Sequence, residues 1–499
     1  GFGRRLVIRR FGLFGAVLLV LAVVYAVAWR TGPRSPQAAA QPAPQMAAVT
    51  SVTRSCPPPA PNSGAAHIAM IALPSRPAAT AAAKAGFTGT GSATLSPVSA
   101  TPGGSAQQPV TVSAVNTLTT VTAPAATGTS GQSGTAVAAT GQMAEGFEAE
   151  QADAAGMGVV SCTHPSSDMW FIGNGAGTGA SGITLYLMNT GDLAASANVT
   201  LLTDAGLQTG LTTAITVAPH QVVTQRIAPF VQGSAALALH VQTSSGQVAA
   251  SVWESGASGG AWLPQAAAPA TSLVIPGLTV ASSSARLFVT VPGASDARLK
   301  VVAFTAQGKF TQFGTTPVDA PSSATSSFVL SSLGASAAGL LLTSTVPIVA
   351  AVLVPGQGMG SFTAAVPPIT EQGVVAGNPA TRGLTVGLVL TAPAGAAKAN
   401  VSVIGAAGSG APSAGGQQVV SVRAGHTTAV AVPRPQNSRQ SFAIVITPAA
   451  GSGPLYAARV VTSGTGGLSA PITSLLPVQN ALTVISLPPV QNAYTAVLP

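Results

Sequence analysis

Charge is what this sequence has least of. Asp, Glu, Lys and Arg together make up 6% of its 499 residues, against about 25% in an ordinary soluble domain. There are four lysines and 11 acidic residues in all. A helical surface is built from Glu and Lys, so this shortage speaks against a helix-rich cytosolic enzyme. Aromatics are also scarce, at 4%, and this removes the stacking platforms that single-stranded nucleic acids need. The formal net charge of +9 looks basic, but Arg4, Arg5, Arg9, Arg10 and Arg30 flank one apolar run. The remaining excess is spread thinly, with no stripe able to track phosphates. Nucleic acid is therefore not an expected partner.

What is present begins with that apolar run. Residues 11–29 read FGLFGAVLLVLAVVYAVAW without a charge, close to the roughly 20 residues that cross a hydrocarbon core. Four arginines precede it and one follows, which predicts a single-pass membrane anchor with a cytoplasmic N-terminus and an extracytoplasmic remainder. Ala26-Val27-Ala28 offers a signal-peptidase-like site, so a chain secreted after cleavage behind Ala28 is the competing expectation.

Cysteine occurs twice, at Cys56 and Cys162. In an exported chain an even count points to a disulfide. Each cysteine ends a strand-like segment that leaves into a Pro-bearing turn. Closing a loop of roughly a hundred residues stabilises a fold by about 4.7 kcal/mol in the chain-entropy view. Two buried free thiols are the alternative.

Beyond a Pro/Ala/Gln tether at residues 31–46, the chain alternates short apolar runs with Gly, Pro, Ser, Asn and Asp, the pattern of antiparallel strands and tight turns. Ile183-Leu185-Leu187, Val199-Leu201, Ile215-Val217, Leu237-Leu239-Val241 and Val248-Ala250-Val252 form the clearest series. It recurs from Leu287-Val289-Val291 and again from Leu384-Val386-Leu388. The spacing of about one hundred residues suits a β-sandwich; propeller blades would repeat every 40 or so. The expected fold is all-β, tandem immunoglobulin-like β-sandwich modules after one N-terminal transmembrane helix. The expected segments are a stub and anchor at 1–30, the tether, a divergent disulfide-bearing β-module at 47–165, and sandwiches at 166–275, 276–375 and 376–499. The last carries extra C-terminal strands, because Pro477-Val478-Gln479-Asn480-Ala481 returns at 489–493.

The stretch from Cys162-Thr163-His164-Pro165 through Trp170-Phe171-Ile172-Gly173, with LYLMNTGD, ANVTLLTDAG, ITVAPHQVV and GQVAASVWES, resembles domain-of-unknown-function family 5719, a group of actinobacterial exported proteins. The resemblance implies anchored chains of immunoglobulin-like modules and brings no established activity.

Motifs of chemistry are thin. Gly256-Ala257-Ser258-Gly259-Gly260 matches a nucleophile elbow, which must lead from a strand into a helix; here small residues join two strands. Gly177 to Gly182 matches a dinucleotide fingerprint but precedes the strand-like ITLYLMN rather than a helix. His67, His164, His220, His240 and His426 are scattered and give no metal spacing. Asp168 and Glu254 are the one carboxylate pair worth testing as a glycosidase couple. The acidic patch Glu145, Glu148, Glu150, Asp153 fits one helical turn or an edge strand. Trp170, Trp253 and Trp262 are candidate glycan-stacking residues if their indoles are exposed; otherwise they cover core ends or fill a joint between modules.

The sequence therefore points to a non-catalytic, membrane-anchored scaffold or protein-interaction protein of the bacterial cell envelope. A glycan-binding protein using exposed tryptophans is the alternative, and a hydrolase a distant one. No cofactor or metal is expected. The expected partners are the membrane, through residues 11–29, and envelope proteins or glycans.

Overall fold

Alternating apolar residues make strands wherever the sequence carries them, and turn residues end them. In the computed structural model the strand Ala195–Thr203 buries Ala195, Ala197, Val199 and Leu201 and turns at Asp204-Ala205. The structure describes residues 16–27, 30, 45–61, 63–74, 91–100, 109–123, 133–153, 158–177, 182–211, 213–279, 285–313, 317–330, 337–356, 358–406, 414–435, 441–464 and 466–487. Residues 48–485 form one compact unit and residues 1–47 with 486–499 another; strands Gln45–Ala48 and Val484–Leu487 pair with each other.

The large unit is built from one eight-position pattern used four times. In the first module the strands are Ser51–Cys56, Ala66–Ile71, Ala93–Val98, Val110–Val112, Thr119–Ala123, Gly134–Thr140, Glu148–Asp153 and Val160–Ser161. Numbered by position, they form two sheets ordered 1-6-3-4 and 5-2-7-8. The second module, from Asp168–Asn174 to Gly259–Leu263, has the same order, with position 4 split into Gly206–Gln208 and Ile215–Val217. The third runs from Ala270–Leu278 to Ser361–Ala364, and its positions 6 and 7 are one 17-residue strand, Ala338–Val354, that passes from one sheet into the other. The fourth runs from Gly373–Pro379 to Ile472–Pro477. The 47–165 stretch, which reads as divergent, thus shares the topology of the others. Its acidic patch is neither helix nor edge: Glu148–Asp153 is an interior strand, paired on both sides.

Immunoglobulin constant domains order their strands ABED and CFG. The pairs 2-5 and 3-6 are common to that order and this one. Here, however, strand 1 pairs with 6 instead of 2, and strand 7 with 2 instead of 6.

The four modules close on themselves. The 1-6-3-4 sheet of each packs against the 5-2-7-8 sheet of the next. Val98 and Ala136 of the first module meet Tyr186, Met188, Trp253 and Trp262 of the second. The second shares a core with Phe288, Val349 and Phe362 of the third, and the third with Val389, Val460 and Ile472 of the fourth. The fourth returns to the first through Val374, Ala376, Ala443 and Val445 on Ala69 and Ile71. Equivalent parallel bridges, Ser99 with Gln221 and Leu118 with Ala406, tie the rim at the first and last of these joints. At Gly277, with φ +97°, a Cβ would lie 2.5 Å from Ala458 Cβ, so the third-to-fourth joint needs glycine there. Eight sheets therefore surround a common centre, an arrangement otherwise met in propellers. Each sheet draws strands from non-consecutive positions, which is why no 40-residue period exists.

Two expectations are corrected or completed. The expected membrane span over residues 11–29, and the single-pass location that rested on it, are overturned: no helix among the described residues is long and apolar enough to cross a membrane. The cysteines do join: Cys56 and Cys162 are disulfide-bonded. Tether residues 31–44 and the second PVQNA copy lie outside the described residues. The first copy packs as read, with Gln479–Asn480 pairing to Gly373-Val374.

The disulfide clamps the two sheets of the first module where strand 1 ends and strand 8 has just ended. Beside it, Ser55 and Thr163 exchange backbone hydrogen bonds of 2.7 and 3.0 Å. Replacing both cysteines (Cys56→Ser with Cys162→Ser) is expected to lower the unfolding free energy by about 2–5 kcal/mol, read by urea titration.

Candidate functional site

Positions 1 and 8 lie on the inner sides of their sheets, with Gln479–Asn480 added beyond position 1 in the fourth module, and they wall a central cavity of about 700 Å³. All four modules contribute: Arg54 and Cys162 from the first, Trp170 and Trp262 from the second, Ala365 from the third, Leu475 and Leu476 from the fourth. The wall is mainly apolar, and its charges are paired. Arg54 Nη2 donates to Glu148 Oε1 at 2.6 Å and to the Phe147 carbonyl at 3.3 Å. Burial pushes the Glu148 carboxyl up in spite of the attraction of Arg54. His164, also on the wall, is pushed down by burial and then by the Arg54 charge. Asp168, half-exposed and also on the lining, has His240 Nε2 3.3 Å away.

Behind the wall lie two further buried carboxylates. Glu150 of the first module accepts from the Gly377 amide of the fourth at 2.8 Å, at the bulge that interrupts strand Gly373–Pro379. Burial raises it to about 7 even though Arg459 draws it down. Arg459, fully buried, donates to Ser474 Oγ at 2.9 Å. Glu254 accepts from both the backbone and the side-chain amide of Asn174, at 3.1 and 2.6 Å, and burial raises it to about 8.

The residues singled out in the sequence are placed as follows. Trp170, Trp253 and Trp262 are 4, 8 and 7% exposed. Sugar stacking needs an open ring face, which these indoles do not offer at this burial. Trp253 and Trp262 meet edge to face, centroids 5.0 Å apart, with Tyr186 5.9 Å from Trp262, in the first-to-second joint. Trp170 stacks on His240 at 3.9 Å. Asp168 and Glu254 are not brought together. Asp168 opens the strand that Asn174 ends, about 20 Å away at roughly 3.3 Å per residue, and Glu254 is held at the Asn174 end; a glycosidase pair lies within about 5–10 Å. Gly256 and Gly259 pair across a hairpin turn, with no helix following. The strand Gly182–Met188 follows the Gly177–Gly182 string, whose residues 178–181 lie outside the described set. Among the described residues no three His, Cys, Asp or Glu side chains could hold a metal. Sequence reading missed the Arg54–Glu148 pair and Arg459, because one arginine inside an apolar strand carries no periodic signal of its partner.

Two outcomes follow from this packing. Trp253→Ala empties the first joint and is expected to cost about 3–5 kcal/mol in chemical denaturation. Glu254 keeps its proton to higher pH in the folded chain than in the unfolded one. Its contribution is therefore complete below about pH 4.5 and is lost as pH rises towards 8, by about 1.4 kcal/mol per unit at most. Glu254→Gln cannot ionise, so its stability plotted against pH from 5 to 8 should fall less steeply than that of the wild type.

Compared with known proteins, the chain has no match among curated sequences. Residues 110–433 match one family model. The matched region starts at the fourth strand of the first module and stops just past the fifth strand of the fourth, so it includes the second and third modules whole. Covering well over half of the chain, that match places it in the family of unknown function DUF5719.

Proposed function

We propose that the protein is a non-catalytic scaffold that holds partner proteins along its rim. The observation that carries this reading is the outer edge of the ring. Positions 4 and 5 end each sheet away from the centre, and each module exposes a large apolar side chain there. These are Val110, Leu207, Val329 and Val419, between 43 and 60% exposed. An unpaired strand edge offers main-chain donors and acceptors to an incoming extended segment, and alternate side chains add specificity. The modules are immunoglobulin-like in the broad sense that the central pairs 2-5 and 3-6 are kept, while strands 1 and 7 take different partners. Buried tryptophans and separated carboxylates give no support to the glycan-binding or hydrolase alternatives.

Lysine on an edge strand blunts strand addition. Leu207→Lys combined with Val419→Lys should leave stability within about 0.5 kcal/mol, as exposed positions do. Proteins captured by the unaltered chain from its own cell extract should be lost with this variant. Equal capture by both chains would sink the rim reading.

A further inference from the structure

Each sandwich has an end where the chain leaves strand 5 of one sheet and crosses to strand 6 of the other, and the second and fourth modules finish this end differently. They begin alike. Ile227, just past strand 5 of the second module, donates its amide to the Ile183 carbonyl of strand 2 at 2.8 Å, and Val432 of the fourth does the same to Val386 at 2.9 Å. From there the second module folds a 3-10 turn, Ala228–Phe230, and sets Val231 into its core. The fourth continues with Pro433-Arg434-Pro435. Arg434 is exposed, and its Nη1 donates to the Ala380 carbonyl, just past strand 1, at 2.6 Å. Here a pocket of about 340 Å³ lies between the two sheets, a size that suits a small organic molecule.

The composition of this pocket says what fits it. Val386, Val432 and Phe442 of the module core line it together with the exposed Arg382 and Arg434. The described lining residues include no Asp, Glu or His. Among the described residues neither arginine forms an ion pair, and the bond from Arg434 to Ala380 is the one side-chain hydrogen bond that either makes. Two guanidinium groups thus share one pocket without a counter-charge, in a chain with 6% charged residues. Like charges held together repel; a bound dianion removes that repulsion and accepts forked hydrogen bonds. A phosphate monoester is such a dianion above its second pKa of about 6. The apolar residues beside the arginines give its organic part a surface to cover.

We propose that this pocket binds a phosphate monoester, with the phosphate on Arg382 and Arg434 and a small ring or short apolar body against Val386, Val432 and Phe442. The site lies within the fourth module and uses none of the rim side chains that carry the scaffold reading, so the two stand or fall separately.

The test uses the full chain with phenyl phosphate as the probe, titrated by calorimetry at low ionic strength. Saturable binding of one equivalent is expected at pH 8, about threefold or more weaker at pH 5, where the ester is a monoanion. With no titrating side chain among the described lining residues, this pH effect belongs to the ester. Phenol, which has the ring alone, should bind at least about tenfold more weakly, and inorganic phosphate several-fold more weakly. Arg382→Gln, at an exposed position that folding tolerates, and Arg434→Gln should each weaken binding about three- to tenfold. Arg423→Gln, at an exposed arginine outside the pocket, should leave it unchanged. Phosphatidylcholine vesicles carrying phosphatidic acid separate the two sources of the ester: displacement of the probe assigns a lipid headgroup, its retention a soluble ester, and both keep the site. No saturation with the unaltered chain, phenol bound as tightly as its phosphate, or unchanged affinity in Arg382→Gln and Arg434→Gln would each overturn the proposal.

Discussion

The return of the fourth module onto the first is the contact on which the rest depends. Three joints link neighbours along the chain and would form in any string of modules. The fourth links segments some three hundred residues apart: Gln372 Nε2 donates to the Leu73 carbonyl at 2.9 Å, and Thr120 and Ser441 share a hydroxyl contact of 3.0 Å. Behind them Glu150 reaches the Gly377 amide. With that joint closed, both faces of nearly every sheet are covered. The cavity, the inner edges and the outward presentation of positions 4 and 5 are consequences of it.

Closure also explains the composition. A sheet with one wet face alternates apolar and charged residues, whereas one buried on both faces has little place for charge. Here small residues such as Ala69, Ala376, Ala443 and Ala458 let sheets approach closely at the joints made by the fourth module, while Tyr186, Trp253, Trp262, Phe288 and Phe362 fill the other two. The few ions kept inside are paired or protonated: Arg54 with Glu148, Arg459 beside Glu150, and Glu254 on Asn174. The shortage of charge that first appears as a deficiency is the signature of eight sheets stacked in a circle.

The strands around Leu185, Leu239, Val289 and Leu388 were legible because large aliphatics alternate there, and the cysteine pair because its two settings match. The joints were not, since alanine on a strand reads equally as a filler on a wet face or a contact on a dry one. Trp253 illustrates the same limit. Alternation correctly sends it away from the sandwich core, but only the neighbouring module decides that the far side is dry. The inner edges were hidden for another reason: Ser51–Cys56 and Val160–Ser161 are far apart in sequence and wall one space through the disulfide-bearing end of their module.

Head-to-tail contacts of this kind either close or run on without limit. Four copies satisfy every face within one molecule. A chain interrupted between modules, by proteolysis or incomplete synthesis, would carry one unsatisfied sheet of each type at its two ends. Each fragment would be complementary to the next, and growth would be linear. Completeness of the circle is thus also the protection of this protein against fibre formation.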